Sequence, residues 1–553
     1  MINSMRGKIN QLPTWLMVGV IALIATGIFI RFYDLDGKFF WGDEVNTLLY
    51  TAGFTKQELT DDIEGREIEI SYLNKYIFTN PEKSVLDTIK SISTDEIQHP
   101  PLYYALSSIW LKIFGDSIWV IRSFSVLMGL LALPCVYWLS RELFDSRKVA
   151  CLAVAIVAVS PFHLIYAQEA RLYSIWTVTV LLSSAVLLRA LSRRSKLWWI
   201  LYGLSILLGI YTFTLFALVI AAHGFYVLAI NLPEIKFQPI KVPGNLISYA
   251  LSTIVALILF LPWAYLLVRN LSRAQNNLVW MNIDIGKVAL IKLWGFNLSS
   301  AFLDIGLVPK ITLPIELPLT SIEFMDSPHL DEILGNYPFI SPIYFAIKIL
   351  VMVLILYSIY YLLSSAQKRS SIFLATLIAI PFIGITFQDF IFGGVGSTIV
   401  GYRFFVPVVL GIELAVAFLL ASKISGRIWQ LITILILILG LGSCITYFKA
   451  DSWWTLRYGY HITRIAPIIN NAENPLIITK FESQILAFPH HLNPEVRLIT
   501  IENLQDLKLS EQIGDVFVYD FPPEQIEELD NRKGFSVEEV NSDDKLWRLK
   551  NIE

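Results

Sequence analysis

The chain has few charged residues and few cysteines for its length. Only 16% of its 553 residues are charged and 55% are hydrophobic, against about 25% and about 45–50% in soluble globular chains. The formal net charge of −3 supplies no excess of basic residues, so we expect no nucleic-acid partner. The three cysteines, Cys135, Cys151 and Cys444, lie in apolar stretches and offer neither a disulfide framework nor zinc-ligand spacing. This composition excludes an ordinary soluble domain and indicates a membrane protein.

The surplus of apolar residues is concentrated in blocks long enough to cross a bilayer, which takes about 20 helical residues. The blocks lie approximately at 14–31, 118–140, 148–166, 172–191, 197–231, 246–268, 340–363, 371–392, 402–421 and 428–448. The block 197–231 is too long for one span, and we expect it to fold back near residues 211–214. The first block is not followed by a small-x-small cleavage motif, so we interpret it as a retained helix. The sequence therefore predicts about 11 transmembrane helices.

The positions of lysine and arginine predict the orientation. Five short loops, at 141–148, 193–196, 236–241, 368–369 and 423–427, are rich in these residues, which favour the cytoplasmic side. All five loops are cytoplasmic if the N-terminus is cytoplasmic. An odd number of helices then places the C-terminus outside.

The chain is expected to form two domains. Residues 1–450 form a transmembrane domain with a first outer loop at 32–117 and a second at 269–339. Within the first loop, helical spacing of apolar residues over 85–92 predicts an interfacial helix, and Leu102–Phe114 is apolar but too short to span. Residues 451–553 read as a small α/β domain, with strands at 475–479, 496–501, 515–519, 535–540 and 546–549 and helix-like stretches near 482–488, 503–511 and 523–530.

Four short motifs place reactive side chains on the predicted outer face. They are Trp41-Gly42-Asp43-Glu44, Gln98-His99-Pro100-Pro101-Leu102, Gln168-Glu169-Ala170-Arg171-Leu172-Tyr173 and Tyr402-Arg403-Phe404-Phe405-Val406-Pro407, accompanied by Arg122 at the outer end of a helix. Each has an ordinary structural explanation, such as solvated loop carboxylates, a self-neutralising turn or arginines that snorkel to the interface. Their common side of the membrane favours a functional site.

Carboxylates and arginines at one outer face suit sugar transfer from a lipid phosphate. A positioned carboxylate can accept the proton of the acceptor as general base. The leaving phosphate ester needs no proton, only positive charge from arginine, histidine or a metal ion. One base and several cations are therefore sufficient, and the second carboxylic acid of glycoside hydrolysis is not required.

The same motifs, in this order, resemble those of the GT-C-fold glycosyltransferases that use polyprenyl-phosphate sugars, the superfamily of protein O-mannosyltransferases and bacterial lipid A aminoarabinose transferases. The resemblance covers about residues 10–450. It implies an all-α polytopic GT-C domain with juxtamembrane helices, to which the C-terminal α/β domain is added. The implied activity is that of an inverting hexosyl or pentosyl transferase of the cell envelope, with a glycan, lipid or protein acceptor. A bacterial inner membrane, with the active site and the C-terminal domain extracytoplasmic, is the implied location.

The resemblance also implies roles for particular residues. Asp43 is the catalytic base, and Glu44 supports it or contacts substrate. The implied substrate-binding residues are His99, Arg122, Glu169, Arg171, Tyr173, Tyr402 and Arg403, of which the arginines are candidate phosphate clamps. Glu169 and His99 are the candidate ligands of a divalent metal. Because Gln168-Glu169 stands where many relatives have an Asp-x-Asp pair, the resemblance implies no certain cofactor.

A transporter or flippase for polyprenyl-linked sugars or lipids is the alternative. It is supported by Glu413, His163 and His223, which lie inside apolar blocks. A transporter should gather polar groups near the midplane in paired broken helices, whereas this chain gathers them at one face. We therefore expect Glu413 to be a buried structural carboxylate with a hydrogen-bond partner. A third hypothesis, a membrane scaffold whose exported domain binds a partner, has no motif in its favour.

Overall fold

The computed structural model describes two compact units. The described residues are 13–237, 243–277, 287–307, 340–392, 401–453, 460–480, 483–507, 514–531, 535–541 and 545–551. The first unit, called here the helical unit, comprises residues 1–35, 96–103 and 121–455. The second, called the sheet unit, comprises residues 36–95, 104–120 and 456–553.

The helices and strands are numbered in chain order. The helices are α1 (Thr14–Phe32), α2 (Gly42–Thr51), α3 (Lys56–Ile63), α4 (Asn74–Ile77), α5 (Val85–Asp95), α6 (Leu102–Phe114), α7 (Ile118–Phe144), α8 (Arg147–Ala158), α9 (Pro161–Ala167), α10 (Tyr173–Arg193), α11 (Lys196–Thr212), α12 (Phe216–Phe237), α13 (Gly244–Arg269), α14 (Leu271–Asn276), α15 (Lys287–Ser300), α16 (Ile340–Ser365), α17 (Lys368–Phe392), α18 (Val406–Lys423), α19 (Arg427–Lys449), α20 (Ile462–Asn470) and α21 (Pro523–Asp530). The strands are β1 (Glu67–Glu69), β2 (Leu476–Thr479), β3 (Arg497–Thr500), β4 (Val516–Tyr519), β5 (Phe535–Asn541) and β6 (Leu546–Asn551).

The apolar blocks form helices, because a helix satisfies its own backbone hydrogen bonds in lipid. Within the described residues, eight helices are long and apolar enough to cross a membrane, and the bent pair α8–α9 makes a ninth. The block 197–231 consists of two shorter apolar helices, α11 and α12, so the predicted fold-back is confirmed. Counting both of them gives the predicted eleven. The chain is an integral membrane protein.

The predicted smaller elements are mostly confirmed. Helix α6 has the bounds expected of the short apolar helix, and α5 covers the amphipathic stretch at 85–92. Two helix-like stretches of the C-terminal segment are 3-10 turns, at Ser483–His490 and Leu504–Asp506. Residues 278–286 and 308–339 of the predicted second outer loop lie outside the described residues.

The span formed by α8 and α9 is broken by 57°. Pro161 begins α9, where a missing N–H costs nothing. At the end of α8, two carbonyl oxygens accept hydrogen bonds from Arg31 of α1. The distances are 2.6 Å to Ala158 and 3.0 Å to Val157. Gly27, one turn earlier on α1, allows this approach, because a Cβ there would collide with the carbonyl oxygen of Ala158. Buried polar groups at the break are therefore paired within the helical unit.

The sheet unit contains one six-stranded sheet in the order β1-β3-β2-β4-β6-β5. Strand β2 is parallel to both β3 and β4, and the other pairs are antiparallel. Apolar residues from β2, β3 and β4 pack with α21 and the 3-10 turn at Leu504–Asp506 to form its core. The five strands predicted in the C-terminal segment are confirmed, and together with the GT-C-type helices they confirm the predicted fold class.

Strand β1 comes from the first loop and not from the C-terminal segment. Ile68 is paired with Leu498, and Arg497 of β3 forms an ion pair of 2.8 Å with Glu67. The first loop and the C-terminal segment therefore fold together in one unit.

Candidate functional site

Asp43 and Glu44 occupy the first turn of α2 in the sheet unit. Trp41 precedes the helix in an extended conformation, and its carbonyl accepts hydrogen bonds from the amides of Glu44 at 2.9 Å and Val45 at 3.1 Å. Glu44 is buried, with 1% exposure, whereas Asp43 is half-buried. Carboxylates in the first turn are stabilised in their ionised form by the helix dipole. The geometry therefore fixes Asp43 in the first turn of α2, two residues after the hydrogen-bonded Trp41.

The turn between α9 and α10, in the helical unit, carries two of the predicted site residues, Glu169 and Arg171. Gln168 closes the end of α1, because its Nε2 donates to the carbonyls of Ile30 at 2.9 Å and Tyr33 at 3.1 Å. The amide of Arg171 donates to the carbonyl of Glu169 at 2.7 Å, which keeps the turn tight. Glu169 and Arg171 are both buried. The turn thus fixes a carboxylate and a guanidinium against the helical bundle.

Arg403 lies opposite this turn. It belongs to a 3-10 turn, Gly401–Phe405, which leads into α18. Its Nη1 is 3.8 Å from Oε1 of Glu169, and its guanidinium carbon is 5.3 Å from the centre of the Tyr173 ring. Both members of the ion pair are buried, so their interaction is screened far less than at a surface. The structure therefore brings together Glu169, Tyr173 and Arg403 from two motifs that are more than two hundred residues apart in sequence.

A phenylalanine that the motif search missed connects His99 to this cluster. Phe213, in the loop between α11 and α12, stacks on the His99 ring with centroids 5.8 Å apart. The same ring is 5.7 Å from Phe404 and 6.5 Å from Tyr173. Phe213 is 4% exposed, and the adjacent Thr214 donates to the Gln98 carbonyl. The only sequence signal was the predicted fold-back itself, which did not identify the ring as a neighbour of His99.

Tyr402 packs with the aromatic residues of α9. Its ring centre is 4.7 Å from that of Phe162 and 6.4 Å from that of Tyr166. Tyr166 lies 5.2 Å from Tyr173 in turn, so the ring cluster continues to the Arg403 pair. Tyr402 is 1% exposed. These aromatic rings form an apolar surface beside the pair of Glu169 and Arg403.

Arg122 has a defined structural contact. Its Nη1 donates to the carbonyl of Leu35 at 2.6 Å, just beyond the end of α1. The side chain is 2% exposed. In the same region, the Tyr103 hydroxyl is 3.1 Å from Ser125 Oγ, and Ser125 Oγ lies 3.4 Å from the carbonyl of Arg171. Arg122 therefore anchors the chain where it leaves α1, and its role towards substrate stays a prediction.

Two further polar pairs lie inside the helical unit. His163 Nε2 is 2.9 Å from Oε2 of Glu413, and both side chains are buried, which confirms the predicted partner for that carboxylate. Lys348 of α16 donates to the carbonyl of Phe296 at 3.0 Å and to Ser300 Oγ, near the C-terminus of α15. A cation at a helix C-terminus satisfies unpaired carbonyls. Sequence reasoning missed Lys348, because its acceptors depend on helix packing.

The structure shows other neighbours for the two candidate metal ligands, Glu169 and His99. Among the residues that the structure describes, no group of three or more His, Cys, Asp and Glu side chains is arranged to hold a metal ion. Glu169 faces the guanidinium of Arg403, and His99 Nε2 is 3.7 Å from Oε2 of Glu96. The assignment of Glu169 and His99 as metal ligands therefore stays a prediction.

The fold has counterparts among solved structures. Over 96% of this chain and 98% of the other, it is similar to the crystal structure of ArnT from Cupriavidus metallidurans bound to undecaprenyl phosphate, with a TM-score of 0.52 and 13% sequence identity. The apo crystal structure of the same protein gives a TM-score of 0.51 over 98% of this chain and 99% of the other, again at 13% identity. The chain has the GT-C fold.

Sequence comparisons agree with the GT-C assignment. The family described as dolichyl-phosphate-mannose-protein mannosyltransferase matches residues 98–266 of the GT-C chain. The undecaprenyl phosphate-alpha-4-amino-4-deoxy-L-arabinose arabinosyl transferase of Pectobacterium carotovorum is 28% identical over 176 residues, 30% of each chain. That of Yersinia pestis (strain Pestoides F) is 26% identical over 195 residues, 33% of each. The aligned segment spans about a third of the length of these curated relatives. The predicted resemblance to GT-C glycosyltransferases is confirmed.

Proposed function

We propose that this chain is an inverting glycosyltransferase that moves a sugar from a polyprenyl-phosphate donor to an acceptor nucleophile. The observation that carries the proposal is the buried Arg403, paired with Glu169 and lying over Tyr173, in a chain with the GT-C fold. A buried guanidinium suits a phosphate leaving group, because it presents a fixed fork of donors. A donor of this class is supported by the relatives, one of which was crystallised with undecaprenyl phosphate and another of which is an undecaprenyl phosphate-aminoarabinose transferase.

The leaving group would be stabilised by cations of the helical unit. As the bond between the anomeric carbon and the phosphate oxygen breaks, its electron pair goes to the phosphate, which departs as polyprenyl phosphate. Arg403 and Arg171 are the proposed partners of the developing charge, with His99 and Arg122 as further contacts. The aromatic rings of Tyr173 and Tyr402 are proposed to exclude water from this part of the site.

The acceptor would be activated by Asp43. The carboxylate accepts the proton of a hydroxyl or amine while that group attacks the anomeric carbon from the side opposite the phosphate. The configuration at that carbon is therefore inverted. Glu44, buried beside it, is proposed to support Asp43 or contact substrate. No step is assigned to a divalent metal.

The proposed location is the inner membrane of a bacterium. The N-terminus would be cytoplasmic, and the active site and the C-terminal α/β segment (451–553) would face the outside, where a cell-envelope glycan, lipid or protein could be the acceptor. Support comes from the five basic loops and from the pairing of β1 with β3, which joins the first loop and the C-terminal segment in one sheet.

The test is a transfer assay with purified protein in nanodiscs. Wild type and Asp43→Asn would be supplied with polyprenyl-phosphate hexoses and pentoses, with and without a chelator, and release of polyprenyl phosphate would be measured. Asp36→Asn is the matched control, because Asp36 is an exposed carboxylate of the same loop. We expect turnover by wild type and the control and none by Asp43→Asn. Near-normal turnover by Asp43→Asn would remove it as the base, and movement of lipid-linked sugar without transfer would favour a flippase.

A further inference from the structure

Aromatic rings of the C-terminal segment make three contacts with residues that directly precede α2, the helix that carries Asp43. Within the sheet unit, Phe39 stacks on His491 with centroids 5.6 Å and planes 28° apart, and meets the edge of Tyr460 at 5.4 Å. Phe40 meets His490 edge-on at 5.4 Å. Each of these two phenylalanines is therefore held by rings that come from a distant part of the chain.

The segment that these rings hold determines where α2 begins. Phe39, Phe40 and Trp41 are 6%, 1% and 2% exposed, and Trp41 is extended, with φ −85° and ψ 166°. Residues 39–41 belong to no helix or strand before α2 begins, so the contacts of their buried side chains help to fix the course of the chain. The Trp41 carbonyl accepts the first hydrogen bonds of α2, and Asp43 follows two residues later. A shift of Phe39 or Phe40 would therefore move the carboxylate of Asp43.

The two histidines are suited to ring packing. They lie at the end of the 3-10 turn Ser483–His490, which packs against α2. Burial lowers the pKa of His491, so its imidazole stays neutral at pH 7 and can stack on an apolar ring without the cost of a buried charge. Aromatic pairs at these separations contribute specific geometry beyond their buried area.

We propose that His490 and His491 are positioning residues for Asp43, which they hold in place through Phe39 and Phe40. This inference rests on the proposed function only for the role of Asp43 as base; the positioning itself is independent of it. The C-terminal segment then contributes to the geometry of the reacting carboxylate.

The experiment combines hydrogen exchange with kinetics on the full-length protein in detergent. The double variant His490→Ala/His491→Ala should speed exchange of the Glu44 and Val45 amides, leave strand β3 protected, and lower kcat by about 10- to 100-fold with little change in the donor KM. The double variant His490→Phe/His491→Phe keeps both rings and should restore protection and turnover. Phe114→Ala, which removes an exposed ring packed on Trp110 in the same unit, is the control and should change neither readout.

The two readouts separate this inference from the proposed function. Unchanged exchange at Glu44 and Val45 in the alanine variant would overturn the positioning role, whatever the activity. Faster exchange with normal turnover, in a protein that Asp43→Asn inactivates, would also overturn it. Normal turnover by Asp43→Asn would instead overturn the base assignment, and the exchange data would still decide whether the histidines hold the segment.

Discussion

Replacing Glu169 with glutamine should strengthen the binding of polyprenyl phosphate, the lipid product of the proposed reaction. Glu169 Oε1 lies 3.8 Å from Nη1 of the buried Arg403. At an effective dielectric of about 20, two unit charges at this distance attract by about 4 kcal/mol. A phosphate that approaches Arg403 competes with this attraction and is repelled by the carboxylate. If about 1.4 kcal/mol of this electrostatic energy opposes phosphate binding, removal of the carboxylate charge lowers the dissociation constant about tenfold.

The same change should weaken the ligand-free protein, because loss of one member of a buried ion pair costs about 3–5 kcal/mol. The assay is thermal unfolding in detergent while polyprenyl phosphate is titrated. We expect a lower Tm without lipid and a larger rise in Tm with it than in wild type. Glu142→Gln is the control, since it removes another ion pair of the helical unit, with Arg189 at 3.3 Å. Weaker lipid binding by Glu169→Gln, together with chelator-sensitive binding by wild type, would refute this reasoning and make Glu169 a metal ligand.

Three further predictions concern stability and positioning. Phe213→Ala should cost about 3–5 kcal/mol, because it removes a buried ring, and should raise the donor KM; a Tm equal to that of wild type would contradict the central place given to this ring. Gly27→Ala should lower the Tm, because the new methyl group meets the Ala158 carbonyl, and a neutral effect would show that α1 can move away. Hydrogen bonds from Lys75 and neighbouring tyrosines hold the pKa of Asp62 below its usual 3.8, so its contribution is complete above that pH and is lost as the pH falls below it. The difference in the free energy of unfolding between wild type and Asp62→Asn should therefore be constant from about pH 7 to 5 and shrink as the pH falls from about 4 to 2, and parallel curves from about pH 4 to 2 would exclude this contribution.

The transmembrane helices were predictable because the bilayer imposes one rule on every span. A run of about 20 apolar residues must become a helix in lipid, whatever it packs against. The break inside the 197–231 block followed from its length alone. The bend at Pro161 was not predictable, and neither were the hydrogen bonds from Arg31 to the last carbonyls of α8. Both depend on which helices become neighbours.

The motifs identified the polar side chains of the candidate site, but they did not identify the residues that these side chains contact. The pairing of Glu169 with Arg403 joins two turns that are distant in sequence, so no local pattern indicates it. Phe213 escaped notice because a single aromatic residue in a turn is ordinary in an apolar block. Strand β1 was missed because three residues are too few for an alternating pattern to stand out.

The pairing of β1 with β3 also has a consequence for how the chain matures during synthesis. Glu67 leaves the ribosome more than four hundred residues before its partner Ile499, which at about 5–20 residues per second is a delay of about 20–90 seconds. During that time the first loop carries a strand whose neighbour does not yet exist. Glu67 and Glu69 are exposed on either side of the buried Ile68, and a strand of three residues with two charges is a poor template for another chain. The short length of β1, which made it hard to recognise in the sequence, also limits aggregation of the nascent chain before β3 is synthesised.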